Sequence, residues 1–185
     1  MSARVTSRPG IRPANGLSHV AGNTDRPLID ATIPAFLAEV VRRHGHRTAA
    51  VFRQTGDRWS YTEFARLIDR LAAGLLSIGV YKGDRVGIWS PNRPEWLLAQ
   101  FATARIGAIL VNINPAYRTS ELDYALNKAG VSCLIVAPQF KTSDYMAMLA
   151  ELAPEMAACP PGRPSAQAAR RGPAWPETAP RCAVL

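Results

Sequence analysis

Cysteine is scarce, three in 185 residues, too few to staple a small secreted domain, so a disulfide framework is excluded. Long apolar runs are missing as well. None approaches the ~18 residues that a membrane-spanning helix needs. No apolar stretch follows the first arginines, which speaks against a secretory signal. Acidic residues number 14 against 22 Lys and Arg, a net charge of +8. What is plentiful is apolar character, 48% of the chain. That is enough for a packed core and excludes wholesale disorder. A chain of this length is expected to hold one domain, with or without tails.

The excess of positive charge first suggests nucleic acid, but its distribution points elsewhere. Residues 1–26 hold four Arg and one Asp, net +3; residues 156–185 hold four Arg and one Glu, again +3. The middle is close to neutral at +2. Arg4, Arg8, Arg12 and Arg26 are scattered among Ser, Pro and Gly, and Pro160, Pro161, Pro164, Pro173, Pro176 and Pro180 among alanines. Proline at that density removes backbone donors and blocks helices. Residues 1–29 and 156–185 are therefore read as disordered tails. The Arg-rich, acid-poor beginning has the composition of an organelle transit segment, but Pro9, Gly10, Pro13 and Gly16 break its helix. A cytoplasmic location is the first reading and an organelle the alternative. In the cytoplasm Cys133, Cys159 and Cys182 would be reduced thiols.

Residues 30–155 alternate between helix and strand patterns. Asp30 to Pro34 supplies cap candidates and a first-turn proline, followed by Ile33, Phe36, Leu37, Val40 and Val41 at helical spacing up to Gly45. Ala49–Gln54 and Arg58–Ser60 flank Thr55-Gly56-Asp57, a hairpin pattern. Ser60-Tyr61-Thr62-Glu63 has capping-box form. It opens a helix whose stripe is Phe64, Leu67, Ile68, Leu71, Leu75 and Ile78, stopped at Gly79. Arg85–Trp89, Ala108–Asn112 and Val131–Val136 read as strands; Glu95–Ile106, Ser120–Ala129 and a last segment capped by Asp144 read as helices. Short strand–helix–strand connections imply parallel strands with right-handed crossovers. Apolar runs such as Ile109–Val111 and Leu134–Val136 imply strands covered on both faces. The fold class is α/β: a partial parallel sheet with crossover helices, plus an N-terminal helix and hairpin.

Catalytic patterns are absent from this middle. There is no Gly-Lys-Ser/Thr for a phosphate loop and no Gly-x-Ser-x-Gly elbow. Gly79, Gly83 and Gly87 read as helix stop, turn and strand packing. Ser90 follows a strand, but Pro91 removes the N–H that would complete an oxyanion hole. His44 and His46 straddle Gly45 with no third zinc ligand at a recognisable spacing; a solvated helix end suits them better. Cys133 reads as a core thiol, and Trp89 and Trp96 as packing beside the Ser90–Glu95 break. Ligands of parallel sheets sit past the carboxyl ends of strands, which singles out Ser90–Arg93 and Asn112–Tyr117. Neither segment carries a titratable pair for acid–base work. No catalytic, cofactor-binding or metal residue is assigned.

The segments that interrupt the strands carry a resemblance. Tyr61-Thr62-Glu63-Phe64, Gly79-Val80-Tyr81-Lys82-Gly83-Asp84-Arg85-Val86 and Pro91-Asn92-Arg93-Pro94-Glu95-Trp96 resemble the opening of the adenylate-forming (AMP-binding) superfamily. The run from Gly107 to Tyr117, with Glu121-Leu122-Asp123-Tyr124-Ala125-Leu126, is similar to its fatty acyl-CoA synthetase branch. Together they cover about residues 30–155. The resemblance implies an acid–thiol ligase chemistry with a fatty acid, ATP, Mg and coenzyme A: acyl-adenylate forms with release of pyrophosphate, then the CoA thiol displaces AMP. It also implies that this is roughly the first third of such an enzyme. The family's Gly-rich loop ending in Pro-Lys-Gly, its Tyr-Gly-x-Thr-Glu motif, its ribose-binding Asp and its C-terminal lysine do not occur here, so no catalytic residue carries over and the chain alone is expected to be inactive.

Two alternatives stand beside that reading: half of a split synthetase completed by a separate C-terminal fragment, and a small α/β scaffold or binding protein. Nucleic acid is not expected as a partner, since the middle lacks a basic face, nor is a transmembrane segment. The change of composition after Glu155, to residues of GC-rich codons, reads as a frameshift there. Translating the downstream DNA in the other two frames is expected to reveal the Gly-rich Pro-Lys-Gly loop. Its absence from both frames would end the frameshift reading.

Overall fold

The computed structural model describes residues 27–154 and 181–184. Two compact units divide the chain, Met1–Ala31 and Thr32–Leu185; the elements that follow belong to the second. Helix α1 (Ile33–His44) begins where the cap pattern predicts, with Thr32 Oγ1 accepting from the Ala35 N–H at 3.3 Å and Pro34 in the first turn. Strands β1 (Thr48–Val51) and β2 (Arg58–Ser60) pair antiparallel. Helix α2 (Tyr61–Ser77) carries the capping box in full: Ser60 Oγ accepts from the Glu63 N–H, and Glu63 Oε2 accepts from the Ser60 N–H at 2.8 Å. That backbone donor holds the Glu63 carboxyl below the usual carboxylate range.

The chain then alternates through β3 (Arg85–Trp89), α3 (Pro94–Ile106), β4 (Ile109–Ile113), α4 (Thr119–Ala129) and β5 (Cys133–Val136). A two-residue ladder, β6 (Gln139–Phe140) with β7 (Ser143–Asp144), leads into α5 (Tyr145–Leu152), whose N-cap Asp144 accepts from the Ala147 N–H at 3.0 Å. The helix stops at Gly107 and Gly130 adopt left-handed φ values of 74° and 60°. At the second of these, Arg85 reaches across from β3 and donates its Nε to the carbonyls of Ala129 and Gly130, satisfying the end of α4.

Among the described residues the main sheet runs β4-β3-β5-β8, all neighbours parallel, with β8 at Arg181–Val184. The parallel α/β architecture expected from the sequence is what the chain adopts. The strand period of two divides the core. Val86, Ile88, Cys133 and Ile135 face one side, against Phe64, Ile68, Ala72 and Leu75 of α2 and Ala99 and Ala102 of α3. Trp89, Ile113, Leu134 and Val136 face the other, against Leu122 and Leu126 of α4 and Tyr145 and Leu149 of α5. β5 is buried at every position, as its apolar run predicts. β4 departs from that expectation: Ile109 is 53% exposed, because β4 sits at the sheet edge and has a neighbour on one side only. The sequence shows no element after residue 155, yet Arg181–Val184 forms a strand there. The open side of β5 supplies its ladder, and Cys182, Ala183 and Val184 are small or β-branched.

Of the three evenly spaced glycines, Gly79 and Gly83 take positive φ values of 80° and 88° at the helix stop and the turn. Gly87 has another reason. A Cβ on it would lie 3.0 Å from Leu134 Cδ1, 3.0 Å from Val131 Cγ1 and 3.1 Å from Ile113 Cδ1. A methyl group there overpacks a filled core, which typically costs ~1–3 kcal/mol. Gly87→Ala is therefore expected to lower the free energy of unfolding by that amount, read from a lowered thermal or denaturant midpoint. An unchanged midpoint would show that the three neighbours move aside freely.

Candidate functional site

The topology locates a crevice. Chain order β3, β4, β5 against spatial order β4-β3-β5 means that the loops leaving β3 and β5, which are neighbours, run to opposite faces of the sheet. α3 lies on the α2 face and α5 on the α4 face. Such a reversal point is where ligands of open parallel sheets bind. The segment Ser90–Arg93 leaves β3 here, the segment after β4 lies alongside, and Ala137 and Pro138 leave β5.

The crevice is held by an aromatic stack. Trp89, the last residue of β3, and Tyr145, the first of α5, are both fully buried, with ring centroids 3.6 Å apart and planes 13° apart. Their polar ends are both spent on the loop after β4. Trp89 Nε1 donates to the Asn114 carbonyl at 3.2 Å, and Tyr145 Oη donates to the Pro115 carbonyl at 2.5 Å. The loop is also tied to itself: Asn114 Oδ1 accepts from the Ala116 N–H at 2.9 Å and the Asn114 carbonyl from the Tyr117 N–H at 3.0 Å. Arg118 Nη1 donates to Ser143 Oγ at 3.2 Å. The Ala137 N–H donates to the Trp89 carbonyl at 3.1 Å and closes the last rung between β3 and β5. Burial pushes the Tyr145 phenol up to about 12.

The other residues singled out from the sequence fall as follows. Ser90 is buried and donates its Oγ to the Pro91 carbonyl at 2.9 Å, with no base beside it. Arg93 spans to Glu95 at 3.2 Å, and this hydrogen bond keeps the Glu95 carboxyl below its usual range. Trp96 packs on the α2–α3 side of the core, and Cys133 is buried in β5. His44 and His46 lie at the end of α1 and its turn. Among the described residues no three His, Cys, Asp or Glu side chains are grouped to hold a metal ion. Cys159 lies outside the described residues.

What the crevice offers is therefore shape, with few donors to spare. Pro91 and Pro94 have no N–H at the start of α3, Ser90 is committed to a carbonyl, and Arg93 faces a carboxylate. These residues do not by themselves fit a triphosphate and its magnesium, which call for a cradle of backbone N–H groups, a lysine and a hydroxyl or carboxylate on the metal. Tyr145 is the residue that sequence reasoning passed over. Only the Asp144 cap marked its neighbourhood, and nothing in a helix pattern reveals that its first residue stacks on a strand 56 positions earlier.

A parallel sheet with this order, broken by Pro91 and Pro94 after β3 and by Pro115 after β4, is an α/β segment with a reversal point between β3 and β5. The chain belongs to the AMP-binding enzyme family, whose model it matches over residues 37–180; the match continues past Glu155. It is 42% identical over 150 residues to the mitochondrial medium-chain acyl-CoA ligase of Rattus norvegicus, covering 81% of this chain and 24% of that protein. The Homo sapiens counterpart is 40% identical over 162 residues, 88% of this chain and 26% of that protein. Among solved structures, the N-terminal domain of FACL13 from Mycobacterium tuberculosis superposes with a TM-score of 0.65 at 22% identity, over 84% of this chain and 34% of that one. A Mycobacterium tuberculosis fatty acyl CoA synthetase gives 0.60 at 25% identity, over 65% and 23%. The chain thus spans about a quarter of the length of the curated relatives it matches. No helix among the described residues is long and apolar enough to cross a membrane.

The phenol makes the stack measurable. The protonated form is favoured in the folded state, so the contribution of Tyr145 is complete below its ordinary value of 10.0 and lost as pH rises through about 12. A tyrosinate absorbance titration is expected to show one phenol ionising near pH 12, missing in Tyr145→Phe. A variant with the same high-pH step would place that phenol elsewhere.

Proposed function

We propose that this chain is the scaffold segment of an ATP-dependent fatty acid–CoA ligase, and that it works only when the rest of such an enzyme completes it. The observation that carries this reading is the crevice at the β3/β5 reversal point. The indole of Trp89, the phenol of Tyr145 and the hydroxyl of Ser90 are each committed to a carbonyl, which supports a role in shaping a site rather than in moving a phosphoryl group or a proton. The names of the matched relatives support acyl-CoA formation, with a medium-chain acid as the first acid to try. ATP, magnesium and coenzyme A would then be bound chiefly by residues outside this segment, the chain supplying the wall against which they sit. The split-synthetase alternative is the same reading with the remainder translated separately. A mitochondrial location for the working enzyme draws support from those relatives and from the Arg-rich, acid-poor residues 1–26.

Pyrophosphate release in the presence of ATP, magnesium and octanoate is the test. The chain alone is expected to give none above the protein-free background. Addition of the missing three quarters, produced as a separate chain from the Rattus norvegicus ligase, is expected to restore release. Turnover by the isolated chain would overturn the scaffold reading, and no release from the mixture would overturn the ligase reading.

A further inference from the structure

Helix α1 lies across α2 and α3 without filling the space beneath it. None of its residues is buried, although Leu37 packs against the core. What remains is a partly enclosed cleft of about 250 Å³. Leu37 and Val41 of α1 form one wall, Ala65 and Ile68 of α2 and Phe101 of α3 the others. The walls are anchored: Ile68 is buried, and the Phe101 ring meets Phe64 edge-on with centroids 5.2 Å apart. Two charged side chains complete the lining. Arg105 Nε pairs with Asp69 Oδ1 at 2.9 Å, and both side chains are partly exposed. Neither makes another hydrogen bond or ion pair among the described residues, so Asp69 Oδ2 and the Nη groups of Arg105 are open to a ligand. The cleft is separate from the crevice. Helix α3 starts beside the crevice at Pro94 and runs for 13 residues, which puts Arg105 about 16 Å further along its axis.

We infer that the cleft between α1, α2 and α3 binds a neutral aliphatic amphiphile, a primary alcohol with a chain of about six carbons. Apolar walls with a single polar feature select an aliphatic body. Size follows from volume: at the ~30 Å³ that a water occupies in the liquid, about 250 Å³ holds roughly eight non-hydrogen atoms. The head group follows from the ion pair. A hydroxyl donates to Asp69 and accepts from Arg105 at once. A carboxylate would meet the like charge of Asp69, and an ammonium that of Arg105. Neither the cleft nor its ligand depends on the ligase reading. A second copy of the chain is the competing occupant.

The test titrates 1-hexanol and hexanoate into the full chain and follows backbone amide chemical shifts. 1-Hexanol is expected to shift Leu37, Ala65 and Phe101 and to bind about tenfold more tightly than hexanoate. From 1-butanol to 1-hexanol each added methylene is expected to tighten binding about fourfold. Ala65→Phe fills the cleft and is expected to weaken 1-hexanol binding about tenfold or more. Asp69→Asn, at an exposed position, removes the like charge and is expected to reverse the preference in favour of hexanoate. Should Ala65→Phe fail to fold, the preference of Asp69→Asn decides alone. Shifts confined to other residues, or none, overturn the inference. So do equal affinities of the wild-type chain for the two ligands, and so does an Asp69→Asn variant that keeps the wild-type preference. Dimerisation that Ala65→Phe abolishes, without binding of the alcohol, gives the cleft to a second copy and equally overturns it.

Discussion

β3 must be buried on two faces and bonded on two edges at once, and the rest of the segment is arranged around that requirement. Its edges are met by β4 and β5 in parallel. Its faces are met by α2 and α3 on the Val86–Ile88 side and by α4 and α5 on the Gly87–Trp89 side. A parallel neighbour can be reached only through a crossover, and crossovers keep one hand. Reaching β4 first and then stepping back over β3 to β5 therefore puts the two crossover helices on opposite faces. The crevice at the ends of β3 and β5 is a by-product of that geometry. It exists whatever chemistry is later built there.

The buried polar groups of the crevice are already engaged. Indole N–H, phenol O–H and the Ser90 hydroxyl each have a partner inside the protein. Buried polar groups that are satisfied stiffen a structure and leave little for a ligand. A segment with that property is suited to hold loops at a fixed distance.

Local chemistry made much of the fold legible. Thr32, Ser60 with Glu63, Asp144, Gly79, Gly107 and Gly130 mark helix ends through interactions confined to a few residues, so their positions follow from the sequence. The strands of the sheet were legible for a similar reason, since an all-apolar run between breaks fits few alternatives. What was not legible depended on distance along the chain. The same apolar pattern describes Ile109–Val111 and Leu134–Val136, yet one lies at an edge and the other inside, because strand order is not written in either strand. The Trp89–Tyr145 stack joins residues that periodicity treats separately. Arg181–Val184 gains its ladder only because β5 offers an open side. For the site, Ser90–Arg93 and Asn112–Tyr117 were found by their place after strands, and Tyr145 was not.

Gly87 has a consequence beyond its own position. Because the space its side chain would fill is already occupied by Ile113, Val131 and Leu134, those residues and the glycine share one fixed volume. β3, β4, β5 and the turn before β5 each contribute a member. Change in any one is therefore constrained by the other three: a larger residue on the central strand requires a smaller one on a neighbour. In this part of the core, size is a property of the set, and drift in the sequence has to proceed by compensating pairs.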